Sequence, residues 1–277
     1  MVKHKIAVGL YGLVIIMVLA LTACSGQKAK EKTNKELPLN ITIYLDLSDR
    51  LTRPMTPSQK DRDIAIIRNV LDIFTQKCIT EKILQTKNRI KVVFYPTPAD
   101  ASIAARASKL EIDMASMEGK AKRKALKEGT QLFSDNLGHI YDETLQERNW
   151  TGSDVWDFFS DKKVDQLCIK NGYRNIFILL TDGYLFQADN KQQQGDAYNY
   201  ILPQTLAVPN SSLICKRKGL DNLEVLMMEI NPYQPQQKDK MKAVLGQWLQ
   251  QMGVHKVEIV ETDLPSNTKP VIEDFLK

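Results

Sequence analysis

The chain has 277 residues, of which 43% are hydrophobic and 26% are charged, with 38 Lys and Arg against 33 Asp and Glu. This composition is typical of a globular protein, and it excludes a disordered, fibrous or multi-span membrane chain. A net charge of +5 over this length does not indicate nucleic acid binding, and four cysteines are too few for a disulfide-built scaffold.

The N-terminus has the pattern of an export signal. A basic start at Lys3–Lys5 is followed by an apolar run over 6–20 and then by Leu21-Thr22-Ala23-Cys24. This order of segments is typical of a signal peptide, and the last four residues resemble the lipobox of bacterial lipoproteins. The resemblance implies a signal peptide over 1–23 and a lipid on Cys24, which would anchor the protein stably to a membrane. The alternative is an uncleaved apolar anchor.

Residues 24–38 are polar and rich in Lys, and they are predicted to form a flexible tether. Ser25 favours the outer over the inner membrane. In an oxidising compartment, Cys78, Cys168 and Cys215 could provide one disulfide or remain buried thiols, and the sequence leaves both possibilities open.

From residue 39 onward, apolar strands alternate with helices. The predicted strands are Asn40–Leu47, Arg89–Tyr95, Asn175–Leu180, Leu223–Ile230 and Val257–Val260, and the predicted helices are Ser58–Cys78, Val155–Ile169, Gln236–Met252 and a short final helix. Continuous apolar strands indicate burial on both faces, and the intervening helices supply crossovers between parallel strands. The sequence therefore predicts an α/β domain over 39–277 with an open, mostly parallel, doubly wound sheet.

Two segments interrupt this alternation and are predicted to be insertions, at about 99–148 and 187–215. The first is compatible with helix, with a possible short edge strand near Leu110–Met114, and its basic stretch Lys120–Lys127 is interpreted as a solvated helix face. The second is rich in Gln and is predicted to be an exposed loop or small subdomain.

Polar residues follow the ends of the predicted strands. The first strand ends in Asp46-Leu47-Ser48-Asp49-Arg50, and the strand over 175–180 ends in Thr181-Asp182-Gly183. A third loop, Thr151-Gly152-Ser153-Asp154, opens the helix that leads into that strand. Each loop alone is explained by a turn or a helix cap. Ligands of open α/β sheets bind outside the carboxyl ends of the strands, however, and there the three loops are expected to converge.

These loops resemble the metal-ion-dependent adhesion site of the von Willebrand factor type A domain, which is also the inserted domain of integrins. Asp46 and Ser48 match its Asp-x-Ser-x-Ser element, Ser153 stands for its Thr, and Asp182 matches its Thr-Asp-Gly element. The resemblance implies that Asp46, Ser48, Ser153 and Asp182 bind Mg²⁺, or alternatively Ca²⁺ or Mn²⁺, and that a carboxylate of a partner protein completes the coordination. Hydroxyl and carboxylate oxygens suit such hard cations.

Arg50 departs from the family pattern, because it stands where the family has its second Ser. A guanidinium cannot ligate a cation. If Arg50 points inward, it would repel a divalent ion and pair with Asp46 or Asp182, whereas if it points outward, Asp49 could supply the missing oxygen. Gly129-Thr130 is a second candidate for the middle loop.

The sequence indicates a binding module rather than an enzyme. It contains no glycine-rich phosphate loop, no nucleophile elbow and no zinc-type Cys/His spacing. Ser48 stands where a haloacid-dehalogenase-type phosphatase needs a second Asp. The hypothesis is a membrane-anchored lipoprotein that binds a protein partner through a divalent cation. The alternative is a structural component of an envelope assembly with a metal-free site, and a metal-assisted phosphohydrolase ranks third.

Overall fold

The computed structural model describes residues 36–147, 153–185, 210–216 and 218–277. The predicted signal peptide, Cys24 and most of the tether lie outside the described residues, as does most of the Gln-rich segment 187–215. Within the described ranges, no helix combines the length and the apolar character needed to cross a membrane.

A mixed, mostly parallel sheet organises the domain. Its six strands in the described part of the chain are β1 (Leu39–Leu45), β2 (Arg89–Val93), β3 (Glu111–Asp113), β4 (Arg174–Leu180), β5 (Leu223–Ile230) and β6 (Lys256–Glu261). The spatial order is β3-β2-β1-β4-β5-β6. Only β3 runs antiparallel to its neighbour. The predicted α/β fold is therefore confirmed, and the sheet is consistent with a von Willebrand A-like domain.

Helices cover both faces of the sheet. They are α1 (Gln59–Thr80), α2 (Ala101–Ala107), α3 (Gly119–Glu147), α4 (Val155–Ser160), α5 (Lys163–Cys168), α6 (Lys238–Met252) and α7 (Pro265–Leu276). Helices α1, α2, α3 and α7 contribute to the core on one face, and α4, α5 and α6 contribute to the core on the other. Neighbouring residues of β1 divide between these cores, with Ile43 in the first and Tyr44 in the second. This is the alternation that a doubly wound sheet requires.

Local sequence signals explain where the elements begin and end. All seven residues of β1 are buried, as its continuous apolar sequence predicts. Helix α1 begins after Ser58, whose hydroxyl accepts a hydrogen bond from the backbone N–H of Asp61. The helix predicted over 155–169 is divided in two, because Lys162 adopts a left-handed backbone conformation with φ of 59° between α4 and α5.

The segment over 99–148 belongs to the edge of the sheet. It supplies β3, which pairs antiparallel with β2, and the long helix α3 that packs on α1. Its basic stretch is exposed except at Ala125, Leu126 and Lys122. The ammonium group of Lys122 is buried and donates to the carbonyl groups of Leu84 and Thr86, at 3.1 and 2.9 Å.

Two of the cysteines are free thiols in the interior. Cys78 lies in α1 and Cys168 lies at the end of α5, on opposite faces of the sheet. Burial raises the pKa of the Cys78 thiol to about 11 and that of Cys168 to about 12, so both stay protonated at neutral pH. These two cysteines are therefore packing residues and do not form a disulfide with each other.

Phe177 should be a main contributor to the core that α4 and α6 cover. Its ring is stacked on Phe158, with ring centroids 5.5 Å apart, and it is fully buried. We expect Phe177→Ala to lower the free energy of unfolding by about 3–5 kcal/mol, measured by urea denaturation. The control Leu132→Ala, at a side chain that is 42% exposed, should change it by less than about 1 kcal/mol. Equal effects would contradict the assignment of Phe177 to the core.

Candidate functional site at the carboxyl rim of the sheet

The ends of β1 and β4 bring two of the predicted site residues together. The two strands are parallel and in register up to Leu45 and Leu180, so the residues that follow them lie side by side. The backbone N–H of Asp46 donates to the carbonyl of Leu180 at 3.1 Å. The hydroxyl of Thr181 donates to Oδ2 of Asp46 at 2.7 Å. Asp46 and the Thr181-Asp182 turn therefore form one rim of the sheet.

Asp46 organises the loop that follows β1. Its side chain is 1% exposed, and Oδ1 accepts a hydrogen bond from the backbone N–H of Ser48 at 2.9 Å. Ser48 and Asp49 are half-buried and lead into a short 3₁₀ helix over Asp49–Thr52. Both carboxylate oxygens of Asp46 thus accept hydrogen bonds from the rim itself.

Arg50 points inward. Its side chain is 1% exposed, Nε donates to the carbonyl oxygen of Asp46 at 2.9 Å, and Nε lies 3.8 Å from Oδ2 of the same residue. Its Nη2 donates to Oδ2 of Asp63 at 2.7 Å. Burial by itself would lower the pKa of Arg50, but the carboxylates of Asp63 and Asp46 outweigh this and hold it above its ordinary value. The guanidinium is therefore a permanent buried charge.

Asp63 is the fixed partner of Arg50. It is fully buried in α1 and accepts further hydrogen bonds from Gln59, at 2.9 Å, and from the hydroxyl of Tyr141 in α3. Buried charges persist in proteins when they are paired and hydrogen-bonded in this way. Three donors from the rim, α1 and α3 therefore converge on one carboxylate.

A second buried ion pair adjoins the first. Arg62 donates to both carboxylate oxygens of Glu229, at 2.9 and 3.2 Å, and Gln59 connects the two pairs by a further hydrogen bond to Glu229 at 3.2 Å. Glu229 adopts a left-handed backbone conformation with φ of 71°, next to a shift of register between β5 and β6. Its contacts hold a conformation that is costly for a residue other than Gly.

Sequence reasoning did not find this network. Its signal in the sequence is weak, because Arg62 and Asp63 stand among other charged residues of an amphipathic helix and Glu229 stands near the end of an otherwise largely apolar strand. Such buried charges require partners, but the sequence does not say which.

Asp182 lies at the surface end of the rim. It is 6% exposed, its Oδ1 accepts from the backbone N–H of Tyr184 at 3.2 Å, and its Oδ2 lies 3.7 Å from Nη1 of Arg53. Burial raises the pKa of Asp182 to about 7, and the neighbouring carboxylate of Asp46 acts in the same direction. A cationic group close to Asp182 would therefore favour its ionised form.

An aromatic cluster surrounds Arg53, and the sequence reasoning missed it as well. The guanidinium of Arg53 lies 4.1 Å from the ring centroid of Tyr233, and the rings of Tyr233 and Tyr184 are 5.4 Å apart. The backbone N–H of Tyr233 donates to the hydroxyl of Tyr184 at 2.9 Å, and Arg53 donates to the carbonyl of Asn231. We call Arg53, Tyr184 and Tyr233 the rim cluster.

Ser153, the third predicted ligand, is in contact with Tyr44. Its Oγ is buried and lies 2.9 Å from the hydroxyl of Tyr44, which also donates to the carbonyl of Tyr95 at 2.7 Å. Ser153 therefore holds the hydroxyl of Tyr44, a residue of β1, next to the chain that leaves β2. The other candidate, Gly129-Thr130, lies within helix α3 rather than in a loop at a strand end.

The donors at the rim fit a resident divalent cation poorly. Only two of the predicted ligands, Asp46 and Asp182, are carboxylates, and among the described residues no group of three or more His, Cys, Asp or Glu side chains is arranged to hold a metal ion. A cation bound to Oδ2 of Asp46 at about 2.1 Å would lie within about 6 Å of Nε of Arg50, where the repulsion is on the order of 5 kcal/mol at an effective dielectric near 20. The predicted cation stays a prediction, and the donor chemistry favours the metal-free alternative.

Comparisons with known proteins gave no match to any protein-family model and none to any curated protein. The solved structures similar to this chain include proximal thread matrix protein 1 from the mussel byssus, at 10% identity and a TM-score of 0.45, over 87% of this chain and 48% of that one. They also include the pilus adhesin SpaC of Lactobacillus rhamnosus GG, at 12% identity and 0.45, over 87% and 30%. An aerotolerance-related membrane protein of Bacteroides fragilis NCTC 9343 is similar at 9% identity and 0.40, over 86% and 98%. The chain thus spans less than half the length of the first two proteins.

The raised pKa of Asp182 predicts an unusual pH dependence. The folded chain keeps a proton on Asp182 that the unfolded chain releases between about pH 4 and pH 7, so this contribution to stability is lost as pH rises through that window. The free energy of unfolding of Asp182→Asn minus that of the wild type should increase by about 1–3 kcal/mol from pH 4 to pH 8, measured by urea denaturation. Asp221→Asn, at an exposed site away from the rim, should show no such gain. If the free energy of unfolding of Asp182→Asn differs from that of the wild type by the same amount at pH 4 and at pH 8, the prediction is refuted.

The Arg50–Asp63 pair should show strong coupling in a double-mutant cycle. Arg50→Met leaves Asp63 as a buried charge without its cation, so we expect a loss of about 3–5 kcal/mol. The double variant Arg50→Met/Asp63→Asn should lose less than the sum of the two single variants, because it buries no unpaired charge. Chemical denaturation of the four proteins measures this, and additive effects would mean that the pair does not act as a unit.

Proposed function

We propose that the domain is a protein-binding module of the cell envelope that recognises its partner at the carboxyl rim of the sheet. The observation that carries the proposal is the rim cluster beside Asp182, in which Arg53 is stacked on Tyr233, a side chain that is 46% exposed. Arginine and tyrosine are enriched among the residues that dominate the binding energy of protein interfaces. Stacking also holds the guanidinium in place before a partner arrives, which lowers the entropy cost of binding.

The partner chemistry that fits this surface is an acidic side chain. Guanidinium groups bind carboxylates through paired hydrogen bonds, and the side chain of Arg53 is 20% exposed. Its neighbour Asp182 has a pKa near neutrality because it is buried, so Asp182 competes weakly for Arg53. A partner carboxylate at Arg53 would thus take the place of the partner carboxylate that the family resemblance assigns to a bound cation.

The proposal includes anchoring through a lipid on Cys24, and it treats the domain as a binding module rather than an enzyme. The described chain enters the sheet at Leu39, at the amino end of β1. A seven-residue strand is roughly 20 Å long, so the rim lies about that far from the point of entry.

Site-specific photo-cross-linking in cells of the source organism tests the proposal. A photoreactive residue at Gln234, which is exposed beside the rim cluster, should give a discrete cross-linked protein. The same residue at Leu84, which is 56% exposed in the loop that leads into the amino end of β2, should not. Adding Arg53→Ala should lower the yield at Gln234 about tenfold or more. An identical set of products at both positions, or a yield that Arg53→Ala leaves unchanged, would refute recognition at the rim.

A further inference from the structure

Arg50 occupies the position at the rim where the resembling family has a hydroxyl ligand, and its direction decides what the rim can bind. The side chain is 1% exposed and turns toward Asp46 and Asp63. The guanidinium of Arg50 therefore places a positive charge on the buried side of the loop that begins at Asp46.

Asp63 holds the guanidinium of Arg50 in place from the side of helix α1. Asp63 lies in α1 and accepts from Arg50 at 2.7 Å, from Gln59 at 2.9 Å and from Tyr141. Rotation of Arg50 out of the rim would leave Asp63 as a buried carboxylate without its cation, which proteins avoid. The guanidinium is therefore a fixed part of the site rather than a side chain that moves aside for a ligand.

The groups around Asp46 disfavour a metal ion at the rim. Nη1 of Arg50 is buried and has no hydrogen-bond partner among the residues that the structure describes. Both oxygens of Asp46 already accept hydrogen bonds, from Ser48 and Thr181. The guanidinium is thus surplus positive charge beside Asp46, and the lone pairs that remain on the Asp46 oxygens face a cation that repels a second one.

We propose that Arg50 is a built-in cation that takes the place of the divalent metal of the rim and excludes it, so that recognition at the rim, through Arg53 at the surface, needs no metal ion. This deepens the proposed function, because it concerns the same rim and rests on recognition there. Its test uses no partner, so the two proposals fail separately.

The test compares the response to Mn²⁺ of the full-length protein in detergent with that of variants. The wild type should show the same melting temperature, within about 1 °C, in 1 mM Mn²⁺ and in EDTA. Arg50→Ser/Asp63→Asn removes the guanidinium together with its counter-charge and supplies the hydroxyl of the family pattern. We expect this variant to melt about 5 °C higher with Mn²⁺ than with EDTA, and adding Asp46→Asn should abolish that rise.

Two results overturn the proposal. One is a rise in the melting temperature of the wild type with Mn²⁺ that Asp46→Asn removes. The other is a folded Arg50→Ser/Asp63→Asn variant that still ignores Mn²⁺, because the guanidinium would then not be what excludes the ion. If that variant does not fold, the affinity of the wild type for Mn²⁺ is measured instead, by electron paramagnetic resonance of the free ion, and compared with that of Asp46→Asn. Micromolar binding lost in Asp46→Asn refutes the proposal, and binding weaker than millimolar upholds it.

Discussion

The ion pair between Arg50 and Asp63 is the interaction on which the architecture of the rim depends. It connects the loop after β1 to helix α1, and it does so inside the protein, where an unpaired charge would be very costly. Nε of Arg50 also donates to the carbonyl of Asp46, so the end of the strand, the loop and the helix share one electrostatic anchor. Tyr141 extends this anchor to α3.

The second pair, Arg62 with Glu229, makes the polar layer continuous under the rim. Arg62 and Asp63 are neighbours in α1, and Gln59 lies one turn earlier and donates to the carboxylates of both Asp63 and Glu229. Most of the buried face of α1 is apolar and covers the sheet, while this first turn is charged. In this layer the guanidinium of Arg50 is paired with Asp63 and also lies near the carboxylates of Asp46 and Asp182. Such preorganised charge costs little to reorganise when a ligand arrives.

These features change what the resemblance to an adhesion domain implies. The resemblance supplied a plausible fold and a plausible location, and the rim does bring Asp46 and Asp182 together. The chemistry at that location is different, because guanidinium groups lie on both sides of the carboxylates, with Arg50 beneath and Arg53 at the surface. Recognition by arginine and tyrosine replaces recognition by a coordinated ion in our proposal.

The sequence by itself determined the α/β fold with its mostly parallel sheet and the placement of Asp46 and Asp182 at the ends of strands, because continuous apolar strands and the polar residues that end them are local signals. Tertiary structure alone decided where Arg50 and Ser153 point. Ser153 meets Tyr44, which is 109 residues away in the chain. Asp63, the partner of Arg50, is itself held by Tyr141, which is 78 residues from it. A residue's type and position fix its chemistry, but its direction depends on which distant groups the folded chain brings within hydrogen-bond reach.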